Sequence, residues 1–508
     1  MNRTSWWAAA AGVVAVGIAA AAGELVAVLI SPAVTPVTAV GSSVIDLMPQ
    51  PLKEWAIAVF GTADKAALLI AMALVISVLA AAAGIGEFRR RHVGAAVVIA
   101  FAFIGLAAVL VTPQAERFAA VPPIVVGGIG ALTITRLGQL LRRWNSAGPS
   151  DGSLARRRFL QASGAGAIVA VIGGAVGTAL RAAQTGGAQL RAALTLPQPV
   201  EPADPIPAGA TAGLEGVPPL VTPNSEFYRI DTALVVPRVD PASWRLRVTG
   251  LVENEIELTL EELLEKPLVA RYLTLACVSN PVGGDLIGNA KWLGWPIREL
   301  LAEARPTSGA DMVFSTSVDG WTASTPLEAL TDERDSLLAV GMNDEPLPFE
   351  HGFPVRMVVP GLYGYVSATK WVTELKLSRF EDELAYWTVR GWSERGPIKT
   401  SARIDRPRPG SVVPAGTVVV AGYAWAQNLG IEAVQVQVDG GAWQPAVLGA
   451  AISADTWRQW VAEVVLEPGR HELAVRAVDA NGELQIADVA PVVPNGATGY
   501  HRIPVDAE

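Results

Sequence analysis

Cysteine is almost absent from this sequence: Cys277 is the only one among 508 residues. A lone thiol excludes an intrachain disulfide, and it cannot build a zinc or iron–sulfur site by itself. Histidine is also scarce, with four residues, and only His92 lies near the apolar N-terminal third. This chain alone therefore cannot supply two imidazoles to a haem held between membrane helices. Three roles remain for Cys277: a buried side chain, a nucleophile, or the one protein ligand of a metal whose other ligands are not protein.

Basic runs are absent beyond about residue 180, and the formal net charge of the chain is −9. Nucleic acids are bound by clustered lysine and arginine, so this charge pattern argues against nucleic acid as a partner. No repeat of solenoid type is present either. The first 180 residues differ from the rest, because they are dominated by Ala, Val, Ile, Leu and Gly with long stretches free of charge.

Five apolar runs approach the roughly 20 residues that cross a bilayer as a helix. They cover about 7–30, 66–85, 93–112, 120–140 and 160–180. The fourth is the weakest because Pro122, Pro123 and Arg136 interrupt it, and a re-entrant or interfacial segment is the alternative. The sequence thus predicts a five-helix membrane region over 1–181.

Positive charge flanks these runs on one side. Arginines at 89–91 separate the second and third runs, and those at 142–143 and 156–158 separate the fourth and fifth. The loops at about 31–65 and 113–119 carry few basic residues. The positive-inside rule therefore predicts a multi-pass protein of the cytoplasmic membrane, with its N-terminus in the cytoplasm and its C-terminal two-thirds outside.

The entry to the fifth run is the segment Arg156-Arg157-Arg158-Phe159-Leu160-Gln161, followed by a weakly apolar stretch. It resembles a twin-arginine export signal. An ordinary basic flank, which any fifth span needs, is the alternative. A twin-arginine route carries folded domains, and a domain exported in this way has often received its cofactor in the cytoplasm.

The polar part of the chain divides into a linker and two globular regions. Residues 182–224 are rich in Pro, Ala and Gly, which predicts a linker. Over 225–395, short alternating runs mix with short helical ones, and this predicts an α+β domain. One helix should start at Thr259, because Glu262 completes a capping box. Over 396–508, alternation at 434–438 and 473–477 before Asp- and Gly-rich turns predicts an immunoglobulin-like β-sandwich.

Four separated motifs resemble the sulfite oxidase family of molybdenum–pyranopterin enzymes. In chain order they are Phe227-Tyr228-Arg229, the Cys277 run at 274–284, the run His351-Gly352-Phe353-Pro354-Val355-Arg356, and Lys370-Trp371. The resemblance covers about 225–508, and the sandwich is similar to the dimerisation domain of that family. The expected architecture is therefore multi-domain: an N-terminal α-helical membrane bundle, an α+β sulfite-oxidase-like molybdopterin domain and an immunoglobulin-like β-sandwich.

The resemblance implies a molybdenum–molybdopterin cofactor, with Cys277 as the protein ligand of the metal. A metal deprotonates a coordinating thiol, so no neighbouring base is needed. The pterin has a phosphate and amide-like edges, which require cationic and hydrogen-bonding partners. Residues implied as cofactor-binding are Asn224, Tyr228, Arg229, Thr316, Asp319, His351, Arg356, Ala368, Thr369 and Lys370. For Asn224 and Asp319, a turn residue beside Pro223 or Gly320 is the alternative.

The residues implied at the substrate are Arg229, Arg390 and Trp321. The two arginines would bind an oxyanion, although a surface salt bridge is an alternative for Arg390. Trp321 stands at the position of the family's tyrosine, and indole has one donor and no ionisable proton. This departure puts sulfite as the substrate in doubt, and plain core packing is an alternative for Trp321.

The resemblance predicts a membrane-anchored oxidoreductase that transfers an oxygen atom to or from a small molecule outside the membrane. We expect neither haem nor an iron–sulfur cluster in this chain, a separate electron carrier (a cytochrome or quinone-linked protein), and a homodimer through the C-terminal domain. A sulfoxide reductase on the same core is an alternative. A second alternative function is a cofactor-free binding or adhesion module on a membrane anchor. A third is a thiol hydrolase or peroxidase that pairs Cys277 with His351.

Overall fold

The computed structural model describes residues 3–30, 35–49, 52, 59, 64–112, 118–147, 152–184 and 187–508. The chain divides into two compact units, one comprising Met1–Gly186 with Thr232–Pro237 and the other Gly187–Asp231 with Arg238–Glu508. Parts of the loops at 31–65 and 113–119, on which the predicted orientation depends, lie outside the described residues.

The first unit is helical. Its helices are α1 (Arg3–Ile30), α2 (Pro36–Leu47), α3 (Asp64–Arg89), α4 (Val93–Leu110), α5 (Val121–Ser146) and α6 (Gly152–Gln184). Within the described part of the chain, five of them are long and apolar enough to cross a membrane, and these coincide with the five predicted runs. Pro122 and Pro123 stand in the first turn of α5, where a helix needs no backbone donor, so this helix is continuous.

A buried carboxylate joins three of these helices. Glu87 is fully buried in α3, beyond the predicted end of the second run. It accepts hydrogen bonds from the backbone N–H groups of His92 at 3.1 Å and Ala95 at 3.4 Å, at the start of α4. Arg142 of α5 donates to the backbone carbonyl of Glu87 and lies 3.6 Å from its carboxylate. Glu87 of α3 therefore caps the N-terminus of α4 and also binds α5 through Arg142.

The second unit begins with a short helix, α7 (Gly187–Ala193), and an irregular segment. Val200 N–H donates to the Leu268 carbonyl at 2.8 Å, and Thr222 N–H donates to the Asn289 carbonyl at 2.7 Å. Ala210 is buried in the main core. The predicted linker over 182–224 is therefore irregular and is bonded to the second unit at these points, although most of its described residues are at least partly exposed.

Two sheets and short helices form the next part of the unit. The strands are β1 (Arg245–Gly250), β2 (Ile256–Thr259), β3 (Val269–Ala276), β4 (Ile287–Pro296), β5 (Met312–Ser317), β6 (Thr322–Pro326), β7 (Leu337–Met342), β8 (Glu345–Pro346), β9 (Arg356–Val358) and β10 (Val372–Ser378). One sheet has the order β2-β1-β10-β5-β6, and the other has the order β3-β4-β7-β8 with β9 paired to β7. The helices are α8 (Leu260–Leu264), α9 (Ile297–Ala304) and α10 (Glu328–Thr331).

Local sequence explains where these elements begin. The Thr259 side chain accepts from Glu262 N–H at 3.1 Å, and the Glu262 carboxylate accepts from Thr259 N–H at 2.8 Å, so the predicted capping box starts α8. Helix α9 follows Pro296 and buries Ile297, Leu300 and Leu301, an i, i+3, i+4 spacing that gives one apolar face.

The C-terminal strands form two further sheets, with the orders β11-β13-β17-β16 and β12-β19-β18-β14-β15. They are β11 (Ser401–Arg406), β12 (Val412–Val413), β13 (Gly416–Trp425), β14 (Ile431–Val438), β15 (Gln444–Pro445), β16 (Val447–Leu448), β17 (Arg458–Leu466), β18 (Gly469–Asp479) and β19 (His501–Ala507). Val436, Trp460 and Val475 from both sheets share one apolar core. Val434 and Val436 of β14 are buried as the predicted alternation requires, whereas Gln437 is buried and Val438 is only half-buried. Strand β14 ends in a turn where Asp439 and Gly440 have positive φ.

Candidate active site

Cys277 starts the loop that joins β3 to β4. Its N–H donates to the Leu286 carbonyl at 2.9 Å, and its carbonyl accepts from Asn280 N–H at 3.1 Å. The Asn280 side chain accepts from Leu286 N–H at 3.0 Å and closes the loop from within. Cys277 is 8% exposed, so the loop holds its thiol in a nearly dry position.

Burial raises the pKa of the Cys277 thiol, and hydrogen bonds from Ser279 lower it by less. A nucleophilic cysteine needs a lowered pKa, which usually comes from a nearby cation or helix N-terminus. The environment of this protein therefore favours a neutral thiol until a metal replaces the proton. This disfavours the hydrolase or peroxidase alternative.

Aromatic rings pack beside the loop. Phe227 stacks on Tyr228 at 5.2 Å between ring centroids, and its edge meets Trp292 at 5.9 Å and His351 at 5.5 Å. The pKa of Tyr228 is raised above its ordinary value, mainly by burial, while the charge of Cys277 adds to this shift and Arg356 opposes it. Tyr228 thus lies within electrostatic reach of both Cys277 and Arg356.

Arg356 is a buried cation without a carboxylate partner among the described residues. It is 5% exposed, and its guanidinium donates to the carbonyls of His351 at 3.1 Å, Ala368 at 3.4 Å and Met357 at 3.3 Å. It also lies 5.1 Å over the ring of Trp292. Burial lowers the pKa of Arg356 to about 10, so it stays charged at neutral pH. A desolvated charge held only by dipoles is well suited to bind an anion.

His351 offers a neutral ring to the same region. Its Nε2–H donates to the Asn224 carbonyl at 3.0 Å, because a carbonyl can only accept, and Nδ1 is left as the acceptor of the ring. Burial, with Arg356 and Lys370 adding to it, lowers the pKa of His351 to about 4. The Asn224 side chain donates to the Met342 carbonyl and accepts from Asn343, so it is fixed by its neighbours.

Lys370 and Arg229 share one carboxylate. The Nζ of Lys370 donates to Asp231 Oδ2 at 2.6 Å, and the Nε of Arg229 donates to the same oxygen at 2.9 Å. Lys370 also donates to the Glu350 carbonyl at 3.0 Å. Burial lowers the pKa of Lys370 to about 8, against the opposing effect of Asp231. The predicted cations are thus brought together by an acidic residue that the sequence analysis missed.

The remaining predicted residues lie on β5 or in the turns next to it and to β10. Thr369 is fully buried, and its hydroxyl lies 2.6 Å from that of Ser315, next to Thr316 on β5. Burial raises the pKa of Asp319, with a further contribution from Asp231, so Asp319 lies near the shared carboxylate. Trp321 is half-buried at the turn between β5 and β6, and its backbone N–H donates to the Asp319 carboxylate at 3.3 Å.

Arg390 is placed by a different set of contacts. Its guanidinium donates to the Tyr386 carbonyl at 2.7 Å and lies 3.6 Å over the ring of Tyr386. The N–H of Tyr386 donates to the hydroxyl of Thr322, the residue after Trp321. These contacts link Arg390 to the Trp321 turn and do not include Arg229.

A cleft of about 480 Å³ opens beside these residues. Its lining includes three predicted residues, and the full set is Arg191, Asn224, Ser225, Phe227, Arg229, Glu345, Pro348, Phe349, Glu350 and His351. Arg191 donates to the carbonyls of Pro346 at 2.6 Å and Leu347 at 2.8 Å, and it pairs with Glu345 at 3.0 Å. The sequence analysis missed Arg191 because it lies in the predicted linker, and no local motif marks it.

Comparison with known proteins identifies the family. Residues 233–387 match the model of an oxidoreductase molybdopterin binding domain. The chain is 32% identical to sulfite oxidase from Gallus gallus over 324 residues, which covers 54% of this chain and 69% of that protein. The chain belongs to the sulfite oxidase family. It is a molybdenum-cofactor-dependent oxidoreductase.

Other known proteins match this chain over different lengths. The mitochondrial sulfite oxidase of Homo sapiens is 30% identical over 321 residues, covering 54% of this chain and 58% of that protein. An uncharacterized oxidoreductase of Bacillus subtilis is 32% identical over 180 residues, covering 35% of this chain and 87% of that protein. The sulfane dehydrogenase SoxCD from Paracoccus pantotrophus aligns with a TM-score of 0.49 and 24% identity, over 57% of this chain and 83% of that one.

The residues around Cys277 fit the cofactor of this family. A single thiol suits a metal whose other ligands come from the cofactor, and Arg356 supplies a buried positive charge for an anionic group. Lys370 adds a second cation, and the Nδ1 of His351 can accept a hydrogen bond from an amide-like edge. The donor set therefore matches a thiolate-bound metal with a phosphate-bearing organic ligand.

Proposed function

We propose that this chain transfers an oxygen atom to or from a small substrate outside the cytoplasmic membrane, anchored there by its N-terminal helices. The observation that carries the proposal is a lone buried thiol, Cys277, and a buried cation, Arg356, that both lie within electrostatic reach of Tyr228. Among the described residues, the Arg356 guanidinium is bonded to backbone carbonyls and to no carboxylate. The anchor is supported by five helices of sufficient length and apolarity, and the orientation by the arginines at 89–91 and 142–143.

In this proposal Cys277 binds the metal, and the bound cofactor supplies the two-electron change that oxygen-atom transfer requires. Arg356 and Lys370 neutralise the anionic part of the cofactor, while His351 keeps a neutral ring and accepts at Nδ1. Tyr228 excludes water from the thiol. Asn224, Thr316, Asp319, Ala368 and Thr369 complete the proposed cofactor-binding set.

Arg229, Trp321 and Arg390 are proposed to face the substrate. The relatives named sulfite oxidase suggest sulfite as one candidate. Two features favour a less charged substrate, such as a sulfoxide, as a second candidate. Asp231 already neutralises much of the Arg229 charge at 2.9 Å, and Trp321 carries no ionisable proton.

Further parts of the proposal concern partners and domains. The electrons pass to or from a separate carrier, a cytochrome or quinone-linked protein. Residues 396–508 form an immunoglobulin-like domain of the dimerisation type, after a catalytic domain at 225–395. The segment at 156–161 acts as a twin-arginine signal, so the cofactor is inserted before export.

The test is metal and pterin analysis of the full-length protein purified in detergent, followed by steady-state assays. Sulfite with a one-electron acceptor and a sulfoxide with a reduced dye are compared on the same sample. We expect about one molybdenum and one pterin per chain and turnover of one of the two substrates. Protein without molybdenum, or loaded protein that turns over neither substrate, would contradict the proposed function.

A further inference from the structure

The C-terminal sheets contact the cysteine loop through Arg403. This residue lies on β11 and is 5% exposed. Its Nη1 donates to the carbonyl of Gly284 at 2.8 Å, within the loop that begins at Cys277. The guanidinium is oriented by Asp405 at 2.9 Å and lies 5.8 Å from the ring of Trp457. The loop carbonyl thus receives a charged, buried and oriented donor.

His501, the first residue of β19, packs against the neighbouring position of the same loop. Its Nδ1 accepts from the backbone N–H of Ile404 at 3.0 Å, which fixes the ring. Gly283 has φ +78°, and a Cβ there would lie 2.2 Å from the imidazole. Only glycine therefore lets the loop approach the ring this closely.

The strand that leads into Cys277 is held from the same side. The hydroxyl of Thr274 on β3 accepts from the N–H of Trp457 at 2.8 Å. The Nε2 of Gln427 donates to the Thr274 carbonyl at 3.3 Å. Residues from the C-terminal part therefore bind the chain both before and after the cysteine.

We propose that Arg403 and His501 are positioning residues that fix the Cys277 thiol for metal binding. This rests on the proposed function, in which Cys277 is the metal ligand. The loop contains two consecutive glycines, Gly283 and Gly284, so its own backbone resists displacement weakly. Metal–ligand distances tolerate only about 0.2 Å of variation, and a loop that relaxes by more than this changes the coordination of the metal. The C-terminal sheets thereby take part in building the active site.

The test compares Arg403→Met with Arg458→Met in the cofactor-loaded, full-length protein. Arg458 is a matched control, because its guanidinium also donates to backbone carbonyls, those of Gly449 and Ile431 at 2.7 Å. Both of these acceptors lie in the C-terminal part and outside the cysteine loop. We expect Arg403→Met to shift the g values of the Mo(V) electron paramagnetic resonance signal, and Arg458→Met to leave them unchanged. Unchanged g values in Arg403→Met would overturn the proposal.

Two further measurements keep the test decisive if Arg403→Met does not fold. His501→Asn preserves an acceptor for Ile404 N–H but removes the ring that meets Gly283, and it should shift the same signal. In cofactor-free protein, both variants should speed alkylation of Cys277 by iodoacetamide, because the loop opens more often. A folded His501→Asn protein with the wild-type signal and the wild-type alkylation rate would overturn the proposal. Absence of molybdenum from the wild-type protein would instead contradict the proposed function.

Discussion

The Nζ of Lys370 lies 2.6 Å from Asp231 Oδ2, and this oxygen also accepts from Arg229 at 2.9 Å. The Lys370 and Asp231 side chains are nearly buried, 9% and 5% exposed, so their charges are little screened by solvent. Asp231 therefore adjusts the positive charge available to both the proposed cofactor and the proposed substrate.

The affinity for the cofactor should fall as pH rises above about 8. Burial lowers the pKa of Lys370 to about 8 in the free protein, and a bound anion raises it again. Between these two pKa values binding requires uptake of a proton, so affinity falls by at most about tenfold per pH unit. The measurement is pterin retained after gel filtration at pH 7 to 9, below the pKa of about 10 of Arg356. In Lys370→Arg, whose side chain stays charged, the amount of retained pterin should be independent of pH over this range. The same decrease with pH in the variant and in the wild-type protein would contradict the role of Lys370.

Asp231→Asn should lower the KM for sulfite more than the KM for a sulfoxide. The substitution removes the negative charge that neutralises Arg229, and a doubly charged anion gains more from this than a neutral substrate. We expect the ratio of the two KM values to change by roughly tenfold, the equivalent of about 1.4 kcal/mol. Measuring both substrates on one preparation corrects for lost stability. Equal changes in the two KM values would show that Arg229 does not face the substrate.

Arg356→Met should weaken cofactor binding more than it weakens the fold. The variant loses charge-assisted hydrogen bonds worth about 1.5–3 kcal/mol each and the guanidinium contact with the Trp292 ring, but methionine still fills the buried site with an apolar stem. The readouts are pterin content and thermal unfolding of the cofactor-free protein. Arg356→Lys restores the charge and should recover part of the pterin content. A variant with normal pterin content would show that the buried cation does not bind the cofactor.

Arg191→Ala should destabilise the rim of the cleft. Arg191 donates to the carbonyls of Pro346 and Leu347 and pairs with Glu345, so its loss leaves partly buried acceptors unpaired at about 1–3 kcal/mol. Arg502→Ala is the control, since its pair with Glu472 is exposed and contributes at most about 1 kcal/mol. The melting temperature of the control variant should be higher than that of Arg191→Ala. Protease should also cut Arg191→Ala faster near residue 190. Equal melting temperatures would contradict this role.

Much of the fold follows from local sequence. Continuous apolar runs predict the five long helices, and period-two alternation predicts strands such as β14. Both predictions work because the spacing of apolar residues shows which face of an element is removed from water. The capping box at Thr259 forms because both partners lie within one helical turn. The packing of residues 187–224 could not be predicted, since it depends on carbonyls supplied by distant strands, such as that of Asn289.

The candidate site also contains some residues that the sequence predicts and others that only the tertiary structure reveals. Cys277, His351, Arg356 and Lys370 stand in recognisable motifs, and the structure brings Arg356, Lys370 and His351 together. Arg191 carries no motif, and its contacts are with residues more than a hundred positions away. Asp231 stands two residues after Arg229, but its bond to Lys370 joins positions 139 residues apart and could not be read from the sequence. Arg403 and His501 likewise reach the cysteine loop only through tertiary packing. Sequence motifs therefore reveal the groups that meet the cofactor better than those that hold them in place.

The most direct measurement of the central claim, that Cys277 binds the metal, is molybdenum X-ray absorption on the cofactor-loaded, full-length protein. The wild-type protein should show one more sulfur neighbour at molybdenum than Cys277→Ser, because serine replaces the thiolate by oxygen. Pterin content measured on the same samples confirms that both proteins are loaded. The same number of sulfur neighbours in the two proteins would contradict the assignment of Cys277 as the metal ligand.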